Sequence, residues 1–278
     1  MARYRQIASA VAAFLFVATA VDACAPVDFH ALPLPSDPEH PVAASLELAF
    51  PGAVTVSPQT GSWSVEGGPW HPLGTPDTGP RSESVLQAEL IDQFRIPYPL
   101  EFDMAARSEA WFDPGRARSA TFFSELWFSD EAAARASLTT VAEPALSDVR
   151  YRVTRRHGVD CQLSAVLRDL AGIPGMAPFF QDPGGSFNWR RIAGTDRLSA
   201  HSYGIAVDIN AALGGYWRWS GRPEGNAGEY ETRIPEELVR AFERRGFIWG
   251  GKWHHFDGMH FEYRPELILH SRLISSPE

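Results

Sequence analysis

The chain has 278 residues, 44% of them hydrophobic, and carries 25 Lys and Arg against 34 Asp and Glu, a net charge of -9 at neutral pH. That length and apolar content suit one sizeable domain with an appendage. Positive charge is nearly all scattered arginine, so there is no basic patch and nucleic acid is excluded as a partner.

Residues 1–23 begin with Arg3 and Arg5, continue through an apolar run from Ile7 to Ala20, and end on small residues before Cys24. This is the pattern of a secretory signal peptide, too short and wrongly flanked for a spanning helix, and no other stretch is long enough to cross a membrane. The expected location is therefore exported, in the periplasm or at the envelope. Loss of Arg3, Arg5 and Asp22 takes the net charge from -9 to -10. Cys24, first after the cut, admits a lipid anchor, although Val21 and Asp22 make a poor lipobox, and a soluble exported form ranks higher. Cys24 and Cys161 are the two cysteines. An oxidising compartment permits them to pair, but the apolar setting of Cys161 in CQLSAVLRDL favours a buried, unpaired residue.

Residues 24–84 are rich in Pro, Gly, Ser and Thr, with Pro26, Pro33, Pro35, Pro38 and Pro41 close together. The composition predicts an extended arm or linker, interrupted by AASLELAF as a strand or helical turn and by GSWSVEGGPW as a small hairpin. The folded domain is expected over residues 85–278. Leu86, Leu90 and Phe94 recur at helical spacing before Pro97 and Pro99. Phe122, Phe123, Leu126 and Trp127 line a second helix. A third is capped at Ser129 and carried on by Leu138 and Val141. Asp160 caps a fourth, with Leu163, Val166, Leu167 and Leu170 as its stripe and Gly172 as its stop. Between residues 216 and 228, Tyr216, Trp217 and Trp219 either wall a cleft or cover the core. Pro235 opens the last marked helix, with Leu238 and Phe242 inward and Gly246 as its end.

Two stretches hold most of the chemistry. In SAHSYGIAVDIN (residues 199–210) Ile205, Val207 and Ile209 alternate with Ala206, Asp208 and Asn210, as on a half-buried strand. A continuous strand would set His201 and Asp208 about 23 Å apart on opposite faces, so they can share an ion only across a turn, which Gly204 can make. In KWHHFDGMHFEY (residues 252–263) Asp257 precedes His260 by three, and His260 and Glu262 share a face of a strand. A catalytic zinc takes three nitrogen or carboxylate ligands and keeps a fourth position open. His201, Asp208 and His260 fill that set and leave Asp257 as a proton acceptor. His254 and His255 compete with His260 as ligands, and Glu262 competes with Asp257 as base. Glu262 is also placed to orient His260 from behind.

The run from GGSFNWRR through SAHSYGIAVDIN, followed by FIWGGKWHHFDGMHFEYRPEL, resembles the zinc peptidases that include D-alanyl-D-alanine carboxypeptidases, D-Ala-D-Ala dipeptidases and phage L-alanyl-D-glutamate endolysins. Ser199, His201, Gly204, Ala206 and Asp208 match the first half of that family's pattern, and Asp257 and His260 match the second. The likeness covers residues 185 to 268, with a looser extension to FDPGRARSATFF. It implies one zinc ion on His201, Asp208 and His260, with Asp257 as catalytic acid or base. It also implies Arg190 as the arginine that meets the substrate and polarises its carbonyl, with adjacent Arg191 as the competing reading. Ser199 and His255 are further candidates for substrate contact. The implied fold is α+β, a small antiparallel sheet carrying the metal ligands and packed against several helices. The implied substrate is a peptidoglycan stem peptide, cut as by a D-alanyl-D-alanine carboxypeptidase. The alternatives are an L-alanyl-D-glutamate endopeptidase with the same site, or a metal domain that binds the wall without catalysis.

Overall fold

The computed structural model describes residues 24–36 and 38–275. The signal-peptide reading falls on residues outside them. In chain order the elements are α1 (Pro41–Ala49), β1 (Val54–Ser57), β2 (Ser62–Val65), β3 (His71–Pro72), α2 (Arg81–Ser84), α3 (Ala120–Leu126) and α4 (Glu131–Ser137). They continue with β4 (Leu138–Ala142), β5 (Arg150–Thr154), α5 (Val159–Ala171), β6 (Pro183–Gly185), β7 (Ala206–Asn210) and α6 (Ala211–Gly214). The last are α7 (Glu236–Arg244), β8 (Phe247–Trp249), β9 (His260–Tyr263) and α8 (Pro265–Ser275). The strands form antiparallel sheets in the orders β1-β2-β3, β4-β5 and β6-β7-β9-β8. The fold is α+β.

The third sheet is buried in the core, with every residue of β8 and β9 covered. Ile205, Val207 and Ile209, at alternate positions on and just before β7, are fully buried, as the period-2 pattern requires. On β9, Phe261 stacks on Phe242 of α7 with ring centroids 3.9 Å apart, and burial of each such ring contributes about 2 to 3 kcal/mol. The α5 stripe of Leu163, Val166, Leu167 and Leu170 is buried as expected. Its start differs: the cap position is Gly158 in the left-handed region, and Asp160 lies inside the first turn.

The described residues of 24–40 hold no helix or strand, as expected of an arm, but residues 41–84 carry regular elements that pack on the rest of the chain. Pro41 opens α1, where its missing N–H costs nothing, and α1 packs on α8. Leu46, Phe50, Val54 and Trp63 lie in the same buried cluster as Phe122 and Tyr263. Phe29, in the stretch before α1, joins the same buried cluster. AASLELAF is helical, and GSWSVEGGPW is a hairpin extended by β1.

The cysteines also depart from expectation. Cys24 and Cys161 form a disulfide with a Cα–Cα distance of 5.5 Å, tying the start of the described chain to α5. The unpaired reading of Cys161 is corrected, and a sulfur bonded in this way has no thiol for a lipid anchor.

Three local readings change as well. The helix expected through Leu86, Leu90 and Phe94 is interrupted, because Leu86 is exposed and Asp92 spends its carboxylate on the backbone N–H groups of Asp77 and Glu89. Such side-chain acceptors compete with helix formation. The α4 cap is Asp130, which accepts from the Ala133 N–H at 2.9 Å, one residue after the expected Ser129. Leu138 and Val141 then leave the helix for β4, where they pair with β5.

Candidate metal centre and its cleft

The chain turns between His201 and Asp208 as the spacing demanded. Residues 200–203 make one tight helical turn, Gly204 adopts φ 69° and ends it, and β7 begins at Ala206. A Cβ at Gly204 would sit 2.9 Å from the Thr154 backbone nitrogen, so both the turn and the close approach of β5 call for glycine. Asp208 is paired directly with His260 across β7 and β9. Gly184 on β6 allows the neighbouring strand to approach, since a Cβ there would meet the Asp208 Cβ at 2.7 Å.

Three atoms converge as a result. Asp208 Oδ1 lies 2.9 Å from His260 Nδ1 and 3.2 Å from His201 Nε2, and the two nitrogens are 3.2 Å apart. The outer nitrogen of each ring is committed: His201 Nδ1 lies 2.7 Å from the Ser186 carbonyl oxygen, and His260 Nε2 lies 3.1 Å from Glu262 Oε2. Both partners are acceptors, so the outer nitrogens carry the protons and the inner ones present lone pairs. Two lone pairs and a carboxylate oxygen facing one another at about 3 Å form a group that could hold a cation. Zinc with bonds of about 2.0 to 2.1 Å in a tetrahedron would set its ligand atoms about 3.3 Å apart, close to the spacing found. The donor set and its geometry fit that metal.

The charges around the centre follow from the same contacts. Burial opposes ionisation of Asp208, but His201 and His260 outweigh it and hold its carboxyl well below the usual range. Burial likewise opposes a charge on His260, yet hydrogen bonds to Asp208 and Glu262 push its pKa up to about 10. Glu262 is fully buried, 2.8 Å from Arg118 and 3.1 Å from Arg264, which overcome its desolvation and keep it ionised. It orients His260 from behind, the role expected of it, and is not a competitor for the catalytic base.

Asp257 precedes β9, and its backbone is held by the Gly250 carbonyl at 3.0 Å and a bridge to Tyr216. Its Oδ1 is buried with no hydrogen-bond partner. Burial and the Asp208 charge push its pKa up to about 6. The turn depends on Gly258, where a Cβ would lie 1.8 Å from the Tyr230 hydroxyl and 2.1 Å from the Gly214 carbonyl.

These groups open onto a cleft of about 680 Å³ that also reaches Arg190, Ser199, Tyr216 and Trp253. Arg190 is exposed on its wall, while Ser199 is buried two residues before His201. Tyr216 lines the cleft, Trp217 is buried beneath it and Trp219 is exposed, so this loop serves both readings offered for it. Arg191 points elsewhere, pairing with Asp196 on the surface.

His255 does not reach the cleft. Its Nδ1 lies 2.6 Å from Asp113 Oδ2, its Nε2 accepts from the Gly225 N–H at 2.8 Å, and it is buried. His254 is spent in the same way, on the Arg107 carbonyl at 2.9 Å and the Ala227 N–H at 3.2 Å. Together they tie residues 107–113 to the loop at 225–227. The expected substrate contact of His255 is therefore corrected: with both nitrogens engaged it has no free polar atom, and it holds the cleft wall. Sequence reasoning missed Arg116, Arg118 and Arg197 as cleft residues. Arg116 lies in a turn closed by its N–H on the Asp113 carbonyl at 3.1 Å, a position that spacing does not mark.

Residues 193–263 match the family model described as D-alanyl-D-alanine carboxypeptidase. The matched segment contains His201, Asp208, Asp257 and His260 and leaves out Arg190 and Arg116. No curated protein and no solved structure gives a significant match.

Proposed function

We propose that the protein is an exported zinc peptidase that trims peptidoglycan stem peptides by carboxypeptidase cleavage, a reading supported by the match of residues 193–263 to the family model described as D-alanyl-D-alanine carboxypeptidase. The observation that carries this reading is the convergence of two imidazole lone pairs and a carboxylate oxygen beside a buried, partnerless Asp257 oxygen at the foot of a cleft. A site that only bound the wall would have no use for that second carboxylate.

His201, Asp208 and His260 would hold the ion. Zinc, when bound there, makes water acidic near neutral pH and polarises a carbonyl. Asp257 takes a proton from the attacking water and hands it to the departing amine, which its raised pKa permits. Arg190, on the cleft wall, offers its guanidinium to the substrate carbonyl as the charge on that oxygen grows. A single donor of this kind is worth about 3 to 4 kcal/mol elsewhere. Ser199 supplies a hydroxyl at the same wall. Glu262 and the Ser186 carbonyl keep both imidazoles in the correct tautomer throughout.

Export is supported by the Cys24–Cys161 disulfide, a bond that persists in oxidising compartments. The test is a pair of variants. Asp257→Ala should keep stoichiometric zinc and lose turnover on wall peptides, whereas His201→Ala should lose both. A fully active Asp257→Ala protein would overturn the assignment.

A further inference from the structure

The cleft is lined by Arg116, Arg118, Arg190, Arg197 and Arg218 and by as many carboxylates, so what matters is which arginines are left without one. Arg118 is neutralised by Glu262 and Arg218 by Glu224. Arg116, Arg190 and Arg197 make no ion pair among the described residues. Of these three, Arg116 is the one built against the reacting groups. Its guanidinium lies over the Trp253 ring at 5.6 Å, and the same ring lies 5.6 Å from that of His260. Its Nη1 donates to the His255 carbonyl at 3.1 Å, and the backbone there is itself fixed, the His255 N–H bonding to Asp113 at 2.8 Å. Arg116 is also among the charges that act on Asp257.

Arg197 stands behind it. One end of its guanidinium donates to the Val85 carbonyl and the other to the Arg116 carbonyl at 2.5 Å, so it anchors the Arg116 backbone. Burial, with Arg118 and Arg116 nearby, holds its pKa down to about 9, which leaves it charged at neutral pH. A guanidinium has five N–H donors, and Arg116 spends one of them on His255. An edge remains for a bidentate partner, and the partner such an edge fits is a carboxylate.

In a peptide cut at its last residue, the free α-carboxylate lies three bonds beyond the carbonyl carbon under attack. A guanidinium set beside the catalytic carboxylate and the ligand His260 is placed for that group. We propose that Arg116 is the specificity residue for a free C-terminal carboxylate, with Arg197 as its buttress, so that the site selects peptide ends over internal bonds. This inference rests on the reading of the site as a peptidase.

The test is calorimetric binding to the zinc-loaded, hydrolysis-silent Asp257→Asn protein. The probes are N-acetylated L-Lys-D-Ala-D-Ala as the free acid and as its C-terminal amide. The acid should bind roughly tenfold or more tightly than the amide. Arg116→Gln in that background should lower the acid to the level of the amide and leave the amide unchanged, and Arg116→Lys should restore part of the preference. Equal binding of acid and amide, no binding of either, or equal weakening of both by Arg116→Gln would overturn the proposal. A parallel assay with the active chain separates it from the peptidase reading. Acid preference without hydrolysis of either probe would remove only the peptidase. Hydrolysis of acid and amide with equal kcat/KM would remove only the carboxylate subsite.

Discussion

Asp208 and His260 face each other across antiparallel strands, and the 2.9 Å between Oδ1 and Nδ1 is set by strand register rather than by a loop. A slip of one residue would turn either side chain to the opposite face of the sheet. The centre is therefore as stable as the sheet, and its chemistry should be separable from its assembly by substitutions that spare the register.

Glu262→Gln gives the first such separation. The amide still reaches His260 but no longer fixes its tautomer by charge, and Arg118 and Arg264 lose their buried counter-ion. Zinc affinity, measured by competition with a chromophoric chelator, should fall about 10- to 100-fold. Stability should fall as well, because removing one member of a buried ion pair costs about 3 to 5 kcal/mol. Unchanged zinc affinity would show that His260 is oriented by something else.

Gly258→Ala tests the turn that presents Asp257. The new methyl would meet a hydroxyl and a backbone carbonyl at 1.8 and 2.1 Å, and the carbonyl cannot rotate away as a side chain could. Turnover should drop at least tenfold with zinc still bound, since His201, Asp208 and His260 lie outside the contact. Wild-type kcat would show that the turn relaxes without moving the carboxylate.

The disulfide should show itself in stability. Cys24 and Cys161 are 137 positions apart, and a bond closing so long a loop contributes about 2 to 5 kcal/mol. Denaturant unfolding with and without reductant should differ by that amount, and a Cys24→Ser, Cys161→Ser double variant should match the reduced wild type. Free-thiol labelling of the unreduced protein would count against the bond.

How much of this could be read from the residues depends on range. Gly204 as the turn between His201 and Asp208, the strand pattern of residues 205–210 and the Glu262 contact with His260 are short-range consequences of spacing, and the structure places all three as expected. The helical turn and the hairpin within residues 24–84 were legible locally, but their packing was hidden by a linker-like composition, because it depends on α1 reaching α8 at the other end of the chain. The roles of His254 and His255 were hidden for a similar reason. Their partners at 107, 113, 225 and 227 are far away in sequence, and a pair of histidines beside a metal motif looks the same whether its nitrogens are free or spent.

Acid should destabilise the protein in a window set by His270. Burial holds this imidazole down to about 4 against an ordinary 6.5, so the fold keeps it neutral while the unfolded chain takes up a proton. Nothing is lost above pH 6.5. Between 6.5 and 4 the unfolded state binds more protons and stability falls, by about 3 kcal/mol in all, and below 4 this contribution is constant. His270→Gln should flatten that part of the stability profile in denaturant titrations, and an unchanged slope would assign the effect to other groups.

The account as a whole stands on one measurement: mass spectrometry of defined stem peptides, from tripeptide to pentapeptide, incubated with the zinc-loaded protein with and without a chelator. It predicts that the pentapeptide loses a single terminal D-alanine, that the chelator stops the reaction, and that added zinc restores it. A cut between L-alanine and D-glutamate, hydrolysis that persists after the metal is removed, or no cleavage by the fully loaded protein would contradict it.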